Sequence, residues 1–480
     1  MKRAWATAVA VALVFAGCTQ SPSAERTDEP GATVTTARAV PSLDWSDCGA
    51  AHCATLTVPL DHDQPEAGTI ELAILKVPAS AEPRLGALLV NPGGPGGSGR
   101  DFAQGFLGHG LDQFDVIGWD PRGVGASHPV VCADGAAMDA YLATDGSPDN
   151  PAEEAELTAA VERFAQSCRA NTGALIDQLS VSETVRDLDL LRQALGEAEL
   201  NFLGVSYGSL IGAAYASWFP GSVGRMVLDA AVDPRDPAAV PQSRGYEEVL
   251  GALAQWCLAT SCALGDDPVG RVQGLITELD TAPIRVGDRE LTQTLAVSGL
   301  TTILAGGERS WPSTVDAITA AERGDGSRLL AAADLLSGRQ ADGSYSGFLA
   351  AFVASYCADQ DVRSAAVAAE RWAAERKQAP VFGYGMGTPY LCVGWTAAPA
   401  DPLALPVDPA KPILVLGGPG DPVTPFPGAE ALATALSGSV LVPTPGYGHG
   451  SFLRGNACVD DLIRARLLDD AMPAPGSSCV

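Results

Sequence analysis

The sequence predicts an α/β protein with a mostly parallel central sheet, helices on both faces and an inserted helical cap. Short apolar runs end in glycine-rich turns and are separated by helical patterns, as the strands of a doubly covered parallel sheet are. From 233 to 405 helical patterns dominate, and strand-like runs return only after that stretch. With 480 residues, 46% hydrophobic and 18% charged, the chain is long and apolar enough to bury a large core.

The N-terminal residues predict export, to the cell envelope or the medium. Two basic residues precede an apolar run that is too short to span a bilayer, which is typical of a secretory signal peptide over 1–17. The letters FAGC at 15–18 resemble a bacterial lipobox, so Cys18 is a candidate lipid anchor, with ordinary cleavage near Ala16 as the alternative. Residues 18–44, rich in Ser, Thr, Pro and Ala, predict a flexible tether.

The cysteine count also indicates a location outside the reducing cytosol. Eleven cysteines less Cys18 leave ten, an even number. A zinc site is the weaker alternative, because the chain has no Cys-x-x-Cys and His52 is the one histidine beside a cysteine. We therefore expect disulfides, and no metal or cofactor. Sequence leaves the connectivity open, and pairing in sequence order is the simplest hypothesis: Cys48–Cys53, Cys132–Cys168, Cys257–Cys262, Cys357–Cys392 and Cys458–Cys479.

The charge balance excludes some partners. The chain has 30 Lys+Arg against 57 Asp+Glu, a formal net charge of −27. Nucleic acid is not expected as a ligand, because phosphate binding requires clustered Lys and Arg. After the N-terminus the sequence has no basic run that could bind an anionic lipid surface. The lipid anchor is therefore the one predicted contact with a membrane. A monomer is the default expectation.

The strand and helix predictions follow from residue periodicity. Thr55–Leu60 and Thr69–Val77 alternate apolar and polar residues and predict an antiparallel pair. The segment 181–196 predicts a helix that Ser182 caps and Gly196 ends. The other predicted elements are strands at Ala87–Val90, Phe114–Ile117, Asn201–Val205, Arg225–Asp229, Ile413–Leu416 and Ser439–Val442, and a helix over Tyr207–Trp218. We therefore divide the chain into core residues 45–232, a mainly helical cap at 233–405 and a second core part at 406–480.

The strongest catalytic signal is the pentapeptide GVSYG at 204–208, which has the form G-x-S-x-G. It stands between an apolar strand and a helix rich in small residues, and glycines allow the tight turn that holds Ser206 at its tip. The pentapeptide alone is weak evidence, because a serine can also cap a helix. Its position makes Ser206 a candidate nucleophile.

A serine nucleophile requires a base, and the chain contains five histidines. His52 and His62 precede the predicted sheet, and His109 and His128 lie in loops before the nucleophile. His449 follows the last predicted strand, at the sheet edge where Ser206 also emerges. We therefore predict that His449 is the base.

The orienting acid is expected between Ser206 and His449 in the chain. Asp421 follows the strand at Ile413–Leu416 directly, in GGPGDPVTP. A turn aspartate without a catalytic role is the alternative. We predict that Asp421 holds the imidazole tautomer and stabilises the imidazolium.

Donors for an oxyanion are expected in the loop NPGGPGGSG at 91–99, which follows an early strand. Glycines leave backbone N–H groups accessible to a substrate. We predict that the N–H groups of Gly94 and Tyr207 form the oxyanion hole. A phosphate-binding loop is the competing hypothesis, but no Lys-Ser/Thr follows and the glycine spacing is wrong.

Together these motifs resemble the α/β-hydrolase fold and, more narrowly, the exported tripeptidyl-aminopeptidase-like serine peptidases of actinobacteria, which are relatives of the proline iminopeptidases. The resemblance runs from Trp45 to the C-terminus and rests on NPGGPGGSG, DVIGWDPRGVGAS, NFLGVSYGSLIGAAYASWFP, RMVLDAAVDP and LVLGGPGDPVTP, in that order. It implies a Ser206–Asp421–His449 triad that hydrolyses peptide bonds near a free N-terminus under a helical cap. Peptides or proteins are then the expected substrates.

The resemblance also implies a cap carboxylate that binds the substrate ammonium. Asp359, after the aromatic stretch at 348–356, is the first candidate, followed by Glu247 and Glu248. Two other functions stay open: a carboxylesterase or lipase on the same triad, and a non-catalytic envelope lipoprotein that uses the scaffold for binding.

Overall fold

The computed structural model describes residues 42–235, 240–400 and 402–479. The predicted signal peptide, Cys18 and all but the end of the predicted tether lie outside these residues. Over the described ranges, no helix combines the length and the apolar character that crossing a bilayer requires.

The strands fall into one large sheet and one small hairpin, over the described part of the chain. The large sheet has the order β1-β2-β3-β5-β4-β6-β7-β10-β11, and β8 pairs with β9. Their bounds are β1 Ser46–Cys48, β2 Ala51–Pro59, β3 Thr69–Val77, β4 Ala87–Asn91, β5 Asp115–Trp119, β6 Leu200–Val205, β7 Val223–Asp229, β8 Ile284–Val286, β9 Arg289–Leu291, β10 Ile413–Gly417 and β11 Val440–Pro443.

The helices alternate with the strands of the large sheet and fill the stretch between β7 and β10. In chain order they are α1 Gly99–Gln104, α2 Gly135–Leu142, α3 Pro151–Thr172, α4 Val181–Ala194, α5 Tyr207–Trp218, α6 Gln242–Thr260, α7 Pro268–Thr281, α8 Gln293–Leu304, α9 Trp311–Ala321, α10 Ser327–Ser337, α11 Phe348–Asp359, α12 Ala365–Gln378, α13 Phe382–Gly385, α14 Phe426–Ala435 and α15 Ala457–Asp469. Short 3-10 turns lie at Pro65–Ala67, Gly173–Asp177, Pro220–Ser222, Glu308–Ser310 and Thr388–Tyr390.

The large sheet has an antiparallel part and a parallel part. β1, β2 and β3 pair antiparallel, and β3 is also antiparallel to β5. From β5 through β11 every neighbouring pair is parallel. The carboxyl ends of β6, β7, β10 and β11 therefore meet at one edge, which is where ligands bind in open α/β sheets. This mostly parallel sheet confirms the predicted fold class.

Helices cover both faces of this sheet. Leu89 and Phe202 point to the face on which α4 and α5 pack, and Leu88 and Leu203 point to the opposite face with α15. This alternation is the period-two pattern of a strand, here with both faces buried.

Two further clusters of buried residues lie away from the sheet. One joins the helices α6 to α10 and α13, all between β7 and β10. The other packs Leu157 and Val161 of α3 against Val362, Ala368 and Trp372 around α12. Helix α3 precedes the nucleophile strand in sequence, whereas α12 follows it. Two parts of the chain that are separated in sequence by β6 therefore pack together.

Two local predictions need correction. The helix at 181–196 is capped by Ser180, whose side chain accepts the N–H of Glu183, whereas Ser182 lies inside the helix. Asp288 and Gly287 form the turn of the β8–β9 hairpin, which lies in a stretch that we expected to be helical.

Disulfides join Cys48–Cys53, Cys132–Cys168, Cys257–Cys262, Cys357–Cys392 and Cys458–Cys479. This is the pairing in sequence order. The bridge between Cys132 and Cys168 ties α3 to the chain after β5, and that between Cys357 and Cys392 ties α11 to the segment after α13.

Candidate active site

Ser206 occupies a strained turn between β6 and α5. Its φ is 60° and its ψ is −126°, a region that non-glycine residues rarely adopt. The turn is tight, because a Cβ at Gly204 would lie 2.2 Å from the carbonyl oxygen of Gly208. The Ser206 N–H donates to the carbonyl of Asp229 on the neighbouring strand at 2.9 Å. The surrounding sheet thus maintains the strain and presents the serine at the carboxyl edge.

Asp421 and His449 form a hydrogen-bonded pair at the same edge. The Nδ1 atom of His449 lies 2.9 Å from Oδ2 and 3.0 Å from Oδ1 of the carboxylate. The carboxylate also accepts the N–H groups of Val423, Thr424 and Gly450 and the Thr424 hydroxyl, at 2.9 to 3.2 Å. These donors fix the orientation of the carboxylate, which in turn fixes the imidazole ring.

In this pair the pKa of each group is shifted so that its ionised form is favoured. Burial tends to raise the pKa of Asp421, but His449 and the donated N–H groups outweigh it and lower that pKa below its usual value. Burial tends to lower the pKa of His449, but the Asp421 carboxylate, with a smaller contribution from Asp229, raises it above its usual value. The carboxylate is therefore well suited to stabilise a protonated imidazole.

Asp229 connects the serine turn with the histidine loop. Its carboxylate accepts the N–H of Ser451 at 2.9 Å, the Ser451 hydroxyl at 2.5 Å and the N–H of Phe452 at 2.9 Å. Its carbonyl receives the Ser206 N–H. Sequence reasoning missed this role, although an aspartate at the end of an apolar strand was the available signal.

Ser206 and His449 make no hydrogen bond to each other in the described part of the chain. The carboxylate–imidazole half of the predicted triad is formed, and the serine–imidazole contact is not. Catalytic hydrogen bonds are often long in unliganded enzymes and shorten when substrate binds.

The predicted oxyanion loop lies against the serine turn. A Cβ at Gly93 would lie 2.4 Å from the Val205 carbonyl oxygen and 2.7 Å from the Tyr207 nitrogen, so only glycine fits there. Gly94, Tyr207 and Ser206 line one cavity of about 90 Å³. Tyr207 is the first residue of α5, so helix geometry leaves its N–H without an intrahelical partner. Both predicted donors thus lie beside the serine.

Asp359, the first predicted ammonium ligand, lines the same cavity. Its carboxylate accepts the Tyr207 hydroxyl at 2.7 Å and the Val181 N–H at 3.0 Å. Burial raises its pKa to about 6, against the effect of these two hydrogen bonds. Asp359 therefore connects α11 with α4 and α5 next to the serine.

The other two predicted ammonium ligands lie elsewhere. Glu247 accepts the N–H groups of Val381 and Phe382 at 3.1 Å and so caps α13. Glu248 is exposed and pairs with Arg244 at 3.1 Å. Neither lines the cavity at Ser206, so the geometry gives no support to their predicted role.

A second cavity, of about 320 Å³, adjoins the first. Both are lined by Val240, Gln242, Phe352, Tyr356 and Gln360. Within the described ranges, no three His, Cys, Asp or Glu side chains cluster as metal ligands would.

A serine on a strained strand-to-helix turn, an Asp–His pair and a glycine loop at one sheet edge define an α/β-hydrolase. Accordingly, the family model described as alpha/beta hydrolase fold matches residues 86–267, and the model described as TAP-like protein matches 379–479. The chain is 32% identical to "Serine protease Hip1" of Mycobacterium tuberculosis, over 99% of this chain and 97% of that protein. It therefore belongs to the TAP-like family of α/β-hydrolases and is a serine hydrolase.

Two other relatives carry different names. "Carboxylesterase B" of Mycobacterium tuberculosis is 34% identical, over 97% of this chain and 94% of that protein. "Tripeptidyl aminopeptidase" of Streptomyces coelicolor is 29% identical, over 94% of this chain and 88% of that protein. The names divide between peptidase and esterase, so family membership alone leaves the substrate open.

Proposed function

We propose that this hydrolase is an exported serine exopeptidase that releases short peptides or amino acids from free N-termini through an acyl-enzyme on Ser206. The observation that carries the proposal is the Asp421–His449 pair at the sheet edge where Ser206 emerges, above a cavity lined by both predicted oxyanion donors.

The proposed reaction has two stages. The Oγ atom of Ser206 attacks the scissile carbonyl and gives its proton to Nε2 of His449, while Gly94 and Tyr207 stabilise the oxyanion. His449 then donates this proton to the leaving amine as the C–N bond breaks. A water molecule attacks the acyl-enzyme, gives its proton to His449 and releases the acyl group, and the proton returns to Ser206. Asp421 stays ionised and stabilises the imidazolium at each stage.

The charges in the catalytic cavity favour a cationic substrate group. Among the described residues that line it, Asp233 and Asp359 are acidic and no Lys or Arg is present, and Asp233 is paired with Arg235 outside the lining at 3.4 Å. A free N-terminus brings a positive charge toward Asp359, which makes no ion pair among the described residues, whereas a neutral ester gains nothing from this carboxylate. This difference supports a peptide with a free N-terminus over a simple ester.

An esterase is the second candidate, and the largely apolar walls of the two cavities favour it. The test compares tripeptidyl p-nitroanilides, their N-acetylated forms and p-nitrophenyl esters. We expect faster turnover of the free peptides, and equal turnover of free and acetylated peptides would contradict the aminopeptidase proposal.

The nucleophile is tested in the same assay. Ser206→Ala should lower activity by at least about a thousandfold, whereas Ser80→Ala, at an exposed position, should keep it. Full activity in the Ser206 variant would refute the triad, whereas a wild type without activity on any of these substrates would favour the non-catalytic binding hypothesis.

We also propose that the protein is exported and anchored through Cys18. The five disulfides support an oxidising compartment. The mature protein should carry a lipid-modified Cys18 by mass spectrometry, and Cys18→Ala should move it from the membrane fraction to the medium. An unmodified N-terminus downstream of residue 18 would contradict the anchor.

A further inference from the structure

A third cavity, of about 170 Å³, adjoins the loop that carries His449. One wall comes from this histidine loop, 446–454, and another from the turn at 305–310 between α8 and α9. Among the described residues, neither Ser206 nor His449 lines it, so it is separate from the catalytic cavity. Its volume lies below the range of about 300–1,000 Å³ for drug-sized ligands. A ligand that fits inside it is therefore small.

Hydrogen bonds connect the turn and the loop that form these walls. The N–H of His449 donates to the carbonyl of Ala305 at 2.9 Å. The Nη2 atom of Arg309 donates to the carbonyl of Arg454 at 2.6 Å. The second bond holds the guanidinium of Arg309 at the histidine loop, so a ligand there would meet a positioned cation.

The cavity contains hydrogen-bond donors that are available to a ligand. The guanidinium of Arg454 makes no hydrogen bond among the described residues, and that of Arg309 makes the one to the Arg454 carbonyl. Thr444 also lines the cavity and is only 4% exposed, yet its hydroxyl makes no hydrogen bond within the described ranges. A buried hydroxyl without a partner costs free energy, which a bound acceptor would recover.

The charged side chains of the cavity are two cations and one anion. Arg309, Arg454 and Glu308 line it, and none of the three makes a salt bridge with another described residue. The cavity therefore has an excess of positive charge, although the whole chain has a formal net charge of −27. Guanidinium groups bind carboxylates and phosphates through charge-assisted hydrogen bonds.

We propose that this third cavity binds a small anion with two or more oxygen atoms, of the phosphate, sulfate or carboxylate class. Arg309 and Arg454 bind its charge, and the Thr444 hydroxyl donates to one of its oxygens. The bound anion then contacts both the cap turn and the histidine loop. This site is independent of the substrate class of the hydrolase.

The first experiment measures anion binding through protein stability. The thermal unfolding midpoint of the wild type is followed against the concentration of sodium phosphate and, separately, of sodium acetate. Sodium chloride holds the ionic strength constant, so that general screening does not change. A ligand that binds the folded state should raise the midpoint by about 1–2 °C and saturate in the millimolar range. The anion with the lower Kd shows whether phosphates or carboxylates are preferred.

The two arginines are tested by removing their charges. We expect the double variant Arg309→Gln/Arg454→Gln to raise the Kd at least tenfold. The control Arg323→Gln/Arg328→Gln removes the same number of charges at exposed positions outside the cavity and should keep the wild-type Kd. An unsaturable rise that is equal in all three proteins is a general salt effect and would overturn the proposal.

Two single variants test the other groups. Glu308→Gln removes the opposing negative charge, so it should lower the Kd at least about twofold. Thr444→Val keeps the shape of the side chain but removes the hydroxyl, and it should raise the Kd about three- to tenfold. An unchanged or higher Kd in Glu308→Gln, or an unchanged Kd in Thr444→Val, would contradict this assignment of the site. None of these outcomes depends on whether the enzyme cleaves peptides or esters.

Discussion

Asp229 and Ser451 are joined by two hydrogen bonds, because the carboxylate accepts both the N–H and the hydroxyl of the serine. Ser451 follows His449 by two residues, and Asp229 also receives the N–H of Ser206 on its carbonyl. One buried residue therefore positions the chain on both sides of the proposed proton transfer.

The first prediction concerns the charge of Asp229. Its carboxylate helps to raise the pKa of His449, which must be neutral to act as the base. Asp229→Asn should lower that pKa, so the acid limb of kcat/KM against pH should move to lower pH. Because the histidine loop also loses hydrogen bonds, activity should fall by about ten- to a hundredfold. Ser451→Ala keeps the charge, and its acid limb should not move. An unshifted limb in Asp229→Asn would contradict the electrostatic role.

The second prediction concerns the stability contributed by Asp359. A buried carboxyl with a pKa of about 6 binds its proton more tightly in the folded than in the unfolded state, where the pKa is near 3.9. Its contribution to stability is therefore greatest below about pH 4 and is lost as pH rises toward 6. Urea unfolding of the wild type and Asp359→Asn should give a free-energy difference that changes between pH 4 and 7 and is constant above pH 7. Asp469→Asn, at an exposed position, should show no such change near pH 6.

The third prediction compares two disulfides. Cys357 and Cys392 are 35 residues apart, whereas Cys48 and Cys53 are 5 apart. Loop-closure entropy predicts that replacing the first pair by serine costs roughly 4 kcal/mol, and the second about 2 kcal/mol. Chemical unfolding measures both. Replacing the first pair should also lower hydrolase activity, because Cys392 lines the second cavity, which adjoins the cavity at Ser206. Equal losses of stability would show that loop length does not determine these contributions.

The fourth prediction concerns the contact between Gly93 and the serine turn. Gly93→Ala places a methyl group within 2.4 Å of the Val205 carbonyl oxygen, which must displace the loop that carries Gly94. We expect kcat to fall at least a hundredfold, as the loss of an oxyanion donor does. Gly251→Ala in α6 meets no atom within 4 Å and is the control. It should keep activity and add up to about 1 kcal/mol of stability, because alanine favours a helix.

Helices and turns could be predicted from the sequence where neighbouring residues determine them. The helix Tyr207–Trp218 has the predicted bounds, since a strand, a G-x-S-x-G turn and a run of small residues define it. The β8–β9 hairpin has a Gly-Asp turn, a recognised hairpin signal that went unused. Ser180 and Ser182 both have the chemistry of a cap, and tertiary packing decides between them.

Tertiary contacts were not predictable in the same way. Glu247 and Asp359 look alike in sequence, as acids near aromatic residues, but one caps α13 and the other faces the serine. The role of Asp229 depends on a loop far away in sequence, which carries Ser451 and Phe452. No periodicity encodes such partners.

The packing of α3 against α12 has a consequence for biogenesis. The second cavity requires Tyr141 and Val161 from before the nucleophile strand and the residues up to Cys392 from after it. When the chain is made from its N-terminal end, the strand that precedes Ser206 can form before the later residues that line the second cavity are present. The second cavity is then among the last features of the folding protein to form.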